Sequence, residues 1–377
     1  MICDYPMSAS DINGGVAAAA FNLVQALLEH TSIEIIVIGY WPDFTSSEPA
    51  VTDHPRLRII RCPRAKPRAH LRGYRAERKI FSRFIRDERP DIIHAQSEGI
   101  YASVAVNSGC PNVYTIHGIR LKELRMQKDE IGAVSHFLRS RLIKQHHRKA
   151  TNIVAINQYT EDAVRDLHNA KVRVIHNAVD ESFFDLYSTD EKVAGTLLQV
   201  GGVRSRKDII TCLEAITILK AKGLPVKLDI VGPNSEDSLP QVEQFIKDKD
   251  LHDVVCIRGL VSADEIESFY SNADIFVLSS IEESSPIAIV QAMAAGLPVV
   301  STNVGGIAEM VADEKSSFLV DPRDPQNLAA KIERLMLDRN LRQEFAGASR
   351  QLAVDNWSTK AVALKTYEMY KEIVSER

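Results

Sequence analysis

Between Ala273 and Thr302 the chain changes character in a way that few folds accommodate. Ile275-Phe-Val-Leu278 is an unbroken apolar run of strand length, without the alternation of a half-exposed strand, so it reads as a strand buried on both faces. Glu282-Glu-Ser-Ser285 follows as a polar loop. Pro286 suits the first position of a helix, with Ser285 as its N-cap, and the helix runs through Met293 to stop at Gly296, with Pro298 just beyond. Pro298-Val-Val-Ser301 opens the next strand, and Gly305-Gly306 turns the chain again. Strand, loop, helix, turn and strand in that order belong to a parallel α/β sheet.

This geometry carries chemistry. A strand that ends in a loop and opens a helix leaves backbone N–H groups free at its C-terminal edge, and with the helix dipole they favour an anion such as a phosphate. Glu283 stands in the loop, and Gln291 lies about 7.5 Å further along the axis than Pro286. The two could grip two parts of one long ligand. The same pattern also fits an ordinary strand–loop–helix unit with a solvated pair of glutamates.

The rest of the chain repeats the alternation. Met1–Pro6 is a stub of a strand, and Asn13-Gly14-Gly15 opens a helix from Val16 to Glu29; the glycine pair suits either close approach to a ligand or a plain turn. Buried strands follow at Ser32–Gly39, Leu57–Arg61, Asp91–His94, Asn112–Gly118, Asn152–Ile156 and Val172–Asp180. Ser188–Lys192 is polar and reads as a linker. The alternation then restarts with Thr196–Gly202, Val226–Pro233, Val254–Val261 and, after the central stretch, Ser317–Asp321. A length of 377 residues exceeds one ordinary core. The predicted fold is therefore α/β, with two facing doubly wound Rossmann-like domains and a cleft between them: residues 1–187, residues 188–356 and a closing amphipathic helix in 357–377.

Composition excludes several functions. A net charge of −4 argues against nucleic acid as partner. No run of eighteen apolar residues is present, and the first residues lack the apolar core of a secretory signal. The five cysteines are scattered without metal-like spacing, as expected of reduced thiols in the cytoplasm. One segment is lopsided: residues 56–89 hold thirteen Lys and Arg against Glu77, Asp87 and Glu88, with Tyr74, Phe81 and Phe84 interleaved. It reads either as a solvated helix with an apolar stripe or as a surface for anionic lipid headgroups or a phosphorylated acceptor. His94 and His117 each end a parallel strand, where ligands bind in open α/β sheets, although a lone histidine is as readily structural. Arg204-Ser-Arg-Lys207 places cations between a glycine turn and a helix start, which fits a phosphate clamp or an exposed loop.

The central stretch resembles the signature of the retaining family-four (group 1) glycosyltransferases of the GT-B fold. Glu283 matches the first Glu of their Glu-x7-Glu pattern, and Ala292-Met-Ala-Ala-Gly-Leu-Pro-Val-Val300 matches the tail; Gln291 replaces the second Glu. The resemblance implies that Glu283 contacts the donor sugar and that position 291 meets the ribose hydroxyls, where Gln bonds without charge. It extends to Thr-Ile-His117-Gly, where the histidine helps orient the sugar, and to the hinge-like segment Ile175–Phe184. Gly14-Gly15 would approach the donor phosphates. Lys207 matches the Lys of a Gly-Arg-x4-Lys-Gly pattern; Gly202 stands at the Arg position, so Arg204 or Arg206 would take its place. The loops holding Gly232 and Leu260 would flank the base, and Ser284, Ser285, Pro286 and Ile287 would line the donor diphosphate. The closing helix would return to the first domain.

The activity implied is transfer of a sugar from a nucleotide-diphosphate sugar to a lipid-linked or saccharide acceptor hydroxyl with retention. It would need no metal or other cofactor, and it would run in the cytoplasm or on the inner membrane face through residues 56–89. The first domain would receive the acceptor and the second the donor. A GT-B protein that binds nucleotide-sugar without transferring it, and a nucleotide-sugar epimerase, are the alternatives; a phosphorylase would need a cofactor-lysine motif that is missing.

Overall fold

The computed structural model describes residues 1–6, 15–41, 49–50, 54–63, 68–126, 132–187 and 195–376. Gly14 and the linker Ser188–Lys192 lie outside them. The chain divides into two compact units, Met1–Ala178 with Thr359–Arg377, and Val179–Ser358.

In the first unit the strands are β1 (Ile35–Trp41), β2 (Pro49–Ala50), β3 (Leu57–Pro63), β4 (Ile93–Ala95), β5 (Asn112–Ile116), β6 (Asn152–Ala155) and β7 (Lys171–Val174). β1 pairs in parallel with β3, which carries the short antiparallel β2 on its outer edge. β4, β5, β6 and β7 pair in parallel, in that order. The N-terminal stub joins the two sets: Ile2 bridges in parallel to Ile38 of β1 and to Ala95 of β4. Its backbone N–H donates to the His94 carbonyl at 2.8 Å, and its carbonyl accepts from Gln96 at 3.0 Å. Strand order therefore reverses at the stub, with β1 on one side and β4 on the other.

The closing helix Thr359–Ser375 belongs to this unit. Val362, Ala363, Met369, Tyr370 and Ile373 share a core with Ala20, Leu23, Val24 and Leu27 of the helix Gly15–His30. Arg173 of β7 holds Glu372 at 2.6 Å.

In the second unit β8 (Thr196–Val200), β9 (Lys227–Val231), β10 (Val255–Gly259), β11 (Ile275–Leu278), β12 (Val299–Thr302) and β13 (Ser317–Val320) form one sheet in the order β10-β9-β8-β11-β12-β13. All pairs are parallel. Ile275 and Val277 pack in one core, and Phe276 and Leu278 in the other. All four are fully buried, which is why the run lacks alternation.

The changeover between units falls at Ala178/Val179 rather than at 187/188, and the return falls at Ser358/Thr359. Val179, Phe183 and Phe184 are buried in the second unit's core, and Val179 N–H donates to the Trp357 carbonyl at 2.9 Å. A hydrophobic anchor, not the polar run that follows, sets the boundary. Of the two readings of residues 56–89, the structure shows the solvated helix with an apolar stripe. Phe81 and Phe84 are core residues of the helix Arg75–Glu88, because an apolar ring stabilises most when it leaves water. Arg56 donates to carbonyls at the end of the helix Gly15–His30, Arg58 pairs with Glu88 at 2.7 Å, and Arg78 donates to Gly73 O and Ser103 Oγ. Arg75, Lys79, Arg83 and Arg86 remain exposed as a ridge.

His94 proves structural. Its Nδ1 lies 2.6 Å from the Tyr370 hydroxyl and its Nε2 2.7 Å from Thr115 Oγ1. Burial pushes His94 down to about 3, and His117 and His146 down to about 4. Below pH 6.5 the unfolded chain binds these protons while the folded unit refuses them, so stability is lost as pH falls from 6.5 toward those values. The expected slope approaches about 1.4 kcal/mol per pH unit for each histidine. Denaturant unfolding at pH 7, 6 and 5 checks it, and His94→Asn should flatten the slope by one histidine's share. A pH-independent first-unit transition across that range would contradict the assignment.

Candidate functional site

In the second unit the order of strands reverses between β8 and β11. Loops leaving the carboxyl ends of the two strands at such a reversal diverge to opposite faces and open a crevice. Here these loops are Gly201–Lys207 and Ser279–Pro286.

A buried ion pair joins them. Lys207 Nζ lies 2.6 Å from Glu283 Oε1, and both side chains are buried. Ser280 Oγ donates to the same carboxylate oxygen at 2.9 Å. The half-exposed Arg206 donates to Oε2 at 3.0 Å. Burial pushes the Lys207 ammonium below its ordinary value, and the Glu283 carboxylate opposes that shift. The backbone is tied as well: Ser279 Oγ reaches the Lys207 and Asp208 carbonyls at 3.0 Å, and Ile281 N–H donates to Arg206 O at 2.9 Å.

Two glycines make the pair possible. A Cβ on Gly201 would sit 2.8 Å from Lys207 Nζ, so the lysine needs a bare backbone beneath it. A Cβ on Gly305 would meet Glu283 O at 1.7 Å, and Gly306 N–H donates to that oxygen at 3.1 Å. Gly202 is locked by its neighbours: its φ is +69°, and a Cβ would lie 2.0 Å from Pro233 O. A Cβ on Gly232 would lie 2.6 Å from Gly202 N. The turns after β8 and β9 are thus pressed backbone to backbone, and an arginine at position 202 would force them apart.

Other candidate residues distribute as follows. Arg204 is exposed, with no carboxylate partner among the described residues, so Arg206 is the arginine at the cluster. The helix after the loop spans Ile287–Ala294 with Pro286 as its N-cap, one residue later than predicted. The Ser285 hydroxyl faces Met310 Sδ at 3.8 Å instead of capping, and Pro286 at the cap position is extended, with ψ 107°. Ser284 is half-buried. Ile287 and Leu260 are exposed, Leu260 at 79%. Gln291 is half-buried, and its Oε1 lies 3.0 Å from the hydroxyl of the fully buried Tyr270. The same hydroxyl also reaches the Ala288 carbonyl at 3.3 Å.

In the first unit His117 Nε2 bonds Gln96 Oε1 at 3.0 Å, joining the loops after β5 and β4. Its Nδ1 is buried without a hydrogen-bond partner among the described residues. Gly15 begins its helix, and a Cβ added there would meet nothing within 4 Å among the described residues. Among the described residues no cluster of His, Cys, Asp and Glu is placed to hold a metal ion, and no helix is long and apolar enough to cross a membrane. Sequence reading missed Ser280, Gly201 and Tyr270. The first two were legible only as loop residues, and Tyr270 only as part of a helix.

Comparison with known proteins bears on this site. Residues 188–352 match the family profile of glycosyl transferases group 1, and residues 13–183 that of glycosyltransferase family 4. An uncharacterized glycosyltransferase of Methanocaldococcus jannaschii is 23% identical over 96% of this chain and 95% of its own length. A capsular polysaccharide biosynthesis glycosyltransferase of Staphylococcus aureus is 25% identical over 77% of this chain and 78% of its own. The crystal structure of Anabaena HepE in complex with UDP-glucose superposes with a TM-score of 0.70 at 17% identity, over 98% of this chain and 99% of that one. Two profiles that between them span residues 13–183 and 188–352, and a two-sheet fold matched over 98% of the chain, lead to one conclusion: the chain belongs to the group 1, family-four glycosyltransferases, and its two Rossmann-like units form a GT-B fold.

Proposed function

We propose that this glycosyltransferase takes its sugar from a nucleotide-diphosphate donor held by the second unit. It passes the sugar to an acceptor hydroxyl with retention, in the assembly of a polysaccharide, lipopolysaccharide or glycolipid on the cytoplasmic side. The observation that carries this reading is the Lys207–Glu283–Arg206 cluster at the strand-order reversal. The capsular polysaccharide relative and the UDP-glucose complex of a structural neighbour support it.

The chemistry follows from the cluster. Both oxygens of Glu283 are engaged, by Lys207, Ser280 and Arg206. A carboxylate so occupied orients a sugar better than it attacks one. Displacement on a single face needs no enzyme nucleophile. The bond from the anomeric carbon to the β-phosphate oxygen breaks, the acceptor oxygen bonds that carbon on the same face, and the acceptor proton passes to the departing phosphate. Lys207 and Arg206 share their charge between Glu283 and that leaving group, and the peptide N–H groups opening the helix Ile287–Ala294 add to the same field. In this proposal two cations supply the charge a metal would bring. His117, which bonds Gln96 through Nε2, serves to orient the sugar.

A thermal-shift panel of UDP, GDP, ADP, CMP and TDP tests donor binding. The cognate nucleotide at a hundred times its dissociation constant should stabilise by about 2.7 kcal/mol. Arg206→Ala, at a half-exposed position, should keep the unliganded melting temperature and weaken that nucleotide about tenfold. No shift with any nucleotide would remove the donor site from this cluster. Gln291→Glu should tighten the same nucleotide about tenfold, since a charged acceptor grips ribose hydroxyls more strongly; unchanged or weaker binding would take position 291 away from the ribose. Turnover should survive EDTA, and loss of activity that Mg²⁺ restores would end the metal-independent mechanism.

A further inference from the structure

The helix Ala133–Lys149 of the first unit turns one side to its own core, through Ile143, His146 and His147, and leaves the other bare. The bare side carries Val134, Phe137, Arg141, Lys144, Gln145 and Arg148. At steps of three, four, three, one and three they fall within one face of a 3.6-residue helix. Val134 is 72% exposed and Phe137 62%, the two most exposed large apolar side chains among the described residues of this unit. Leu71, 47% exposed, belongs to the same end: its neighbour His70 is held 2.9 Å from Ser135 Oγ in the helix's first turn. A shallow groove of about 390 Å³ runs along Phe137, Arg141, Lys144 and Arg148. The helix contains no acidic residue, and none of its three outward cations pairs with a described carboxylate.

Apolar side chains at one end and cations at the other, on one exposed face, call for a partner with both properties. Nucleic acid would satisfy the cations and leave Val134 and Phe137 in water. A second copy would cover the apolar pair and bring two sets of cations together. An anionic bilayer takes both, the side chains at the acyl boundary and the cations at the headgroup phosphates. We propose that this face docks the first unit on an anionic lipid surface, with Val134, Phe137 and Leu71 entering the boundary and Arg141, Lys144 and Arg148 meeting phosphates. The docking surface is then the helix 133–149 with the adjoining turn 69–72, not the ridge of the helix Arg75–Glu88, whose phenylalanines are buried. The inference does not depend on the transfer reaction.

The test is co-sedimentation of the full chain with phosphatidylcholine vesicles, with and without phosphatidylglycerol, at low and high salt. Binding is expected with the anionic lipid alone and should fall at high salt. Phe137→Ser should lower the partition about tenfold, and Arg141→Gln and Lys144→Gln about fivefold each. Val134→Ser should act in the same direction as Phe137→Ser, and an unchanged melting temperature in either variant shows that the fold is intact. Lys79→Gln with Arg83→Gln, on the neighbouring ridge, should change it less than twofold. No anionic binding by the wild-type chain overturns the proposal. So does binding that follows Lys79 and Arg83 but not Phe137, or a concentration-dependent dimer, broken by Phe137→Ser, in a protein that ignores vesicles.

Discussion

The ion pair between Lys207 and Glu283 is the contact on which the second unit's loops depend. Two opposite charges out of water are costly, and their attraction offsets that cost only where further hydrogen bonds complete both groups. Ser280 and Arg206 provide those bonds, and Gly201 and Gly305 provide the room. Because the two charges come from loops leaving different strands, the pair also fixes the separation of the carboxyl ends of β8 and β11. A donor diphosphate would meet a cation already in place.

The same strand logic recurs in both units with different outcomes. In each, the order reverses about a central strand, β8 in the second unit and the Met1–Cys3 stub in the first. In the second unit the reversal gathers charge. In the first, His117 and Gln96 meet at the ends of β5 and β4, near the buried pair of Glu98 and His147.

Much of this was legible in the chain. Ile275–Leu278 reads as a doubly buried strand because it has no polar residue to expose, and Gly296 with Pro298 stops the helix that follows it. Glu283 and Lys207 stood out by motif. Two readings shifted for reasons that local sequence does not contain. Ser285 has the chemistry of a cap, but the helix begins one residue later, with Pro286 at the cap position. Arg204 and Arg206 are equivalent in a string of letters, and the turn after β8 gives the carboxylate to Arg206.

The sequence by itself determined the class of fold, the alternation of buried strands and helices, and the residue types able to hold a nucleotide-sugar, because hydrophobic period and turn chemistry act over a few residues. Only the tertiary structure decided which of those residues meet. Glu283 and Lys207 are separated by 76 positions, and Gln291 and Tyr270 by 21. Whether Gly202 could have been arginine depended on Pro233, in a turn after another strand. Whether an aromatic faced core or solvent depended on which side of its helix the sheet covered. Those are long-range packing outcomes, set by where the strand order reverses, and no local pattern encodes them.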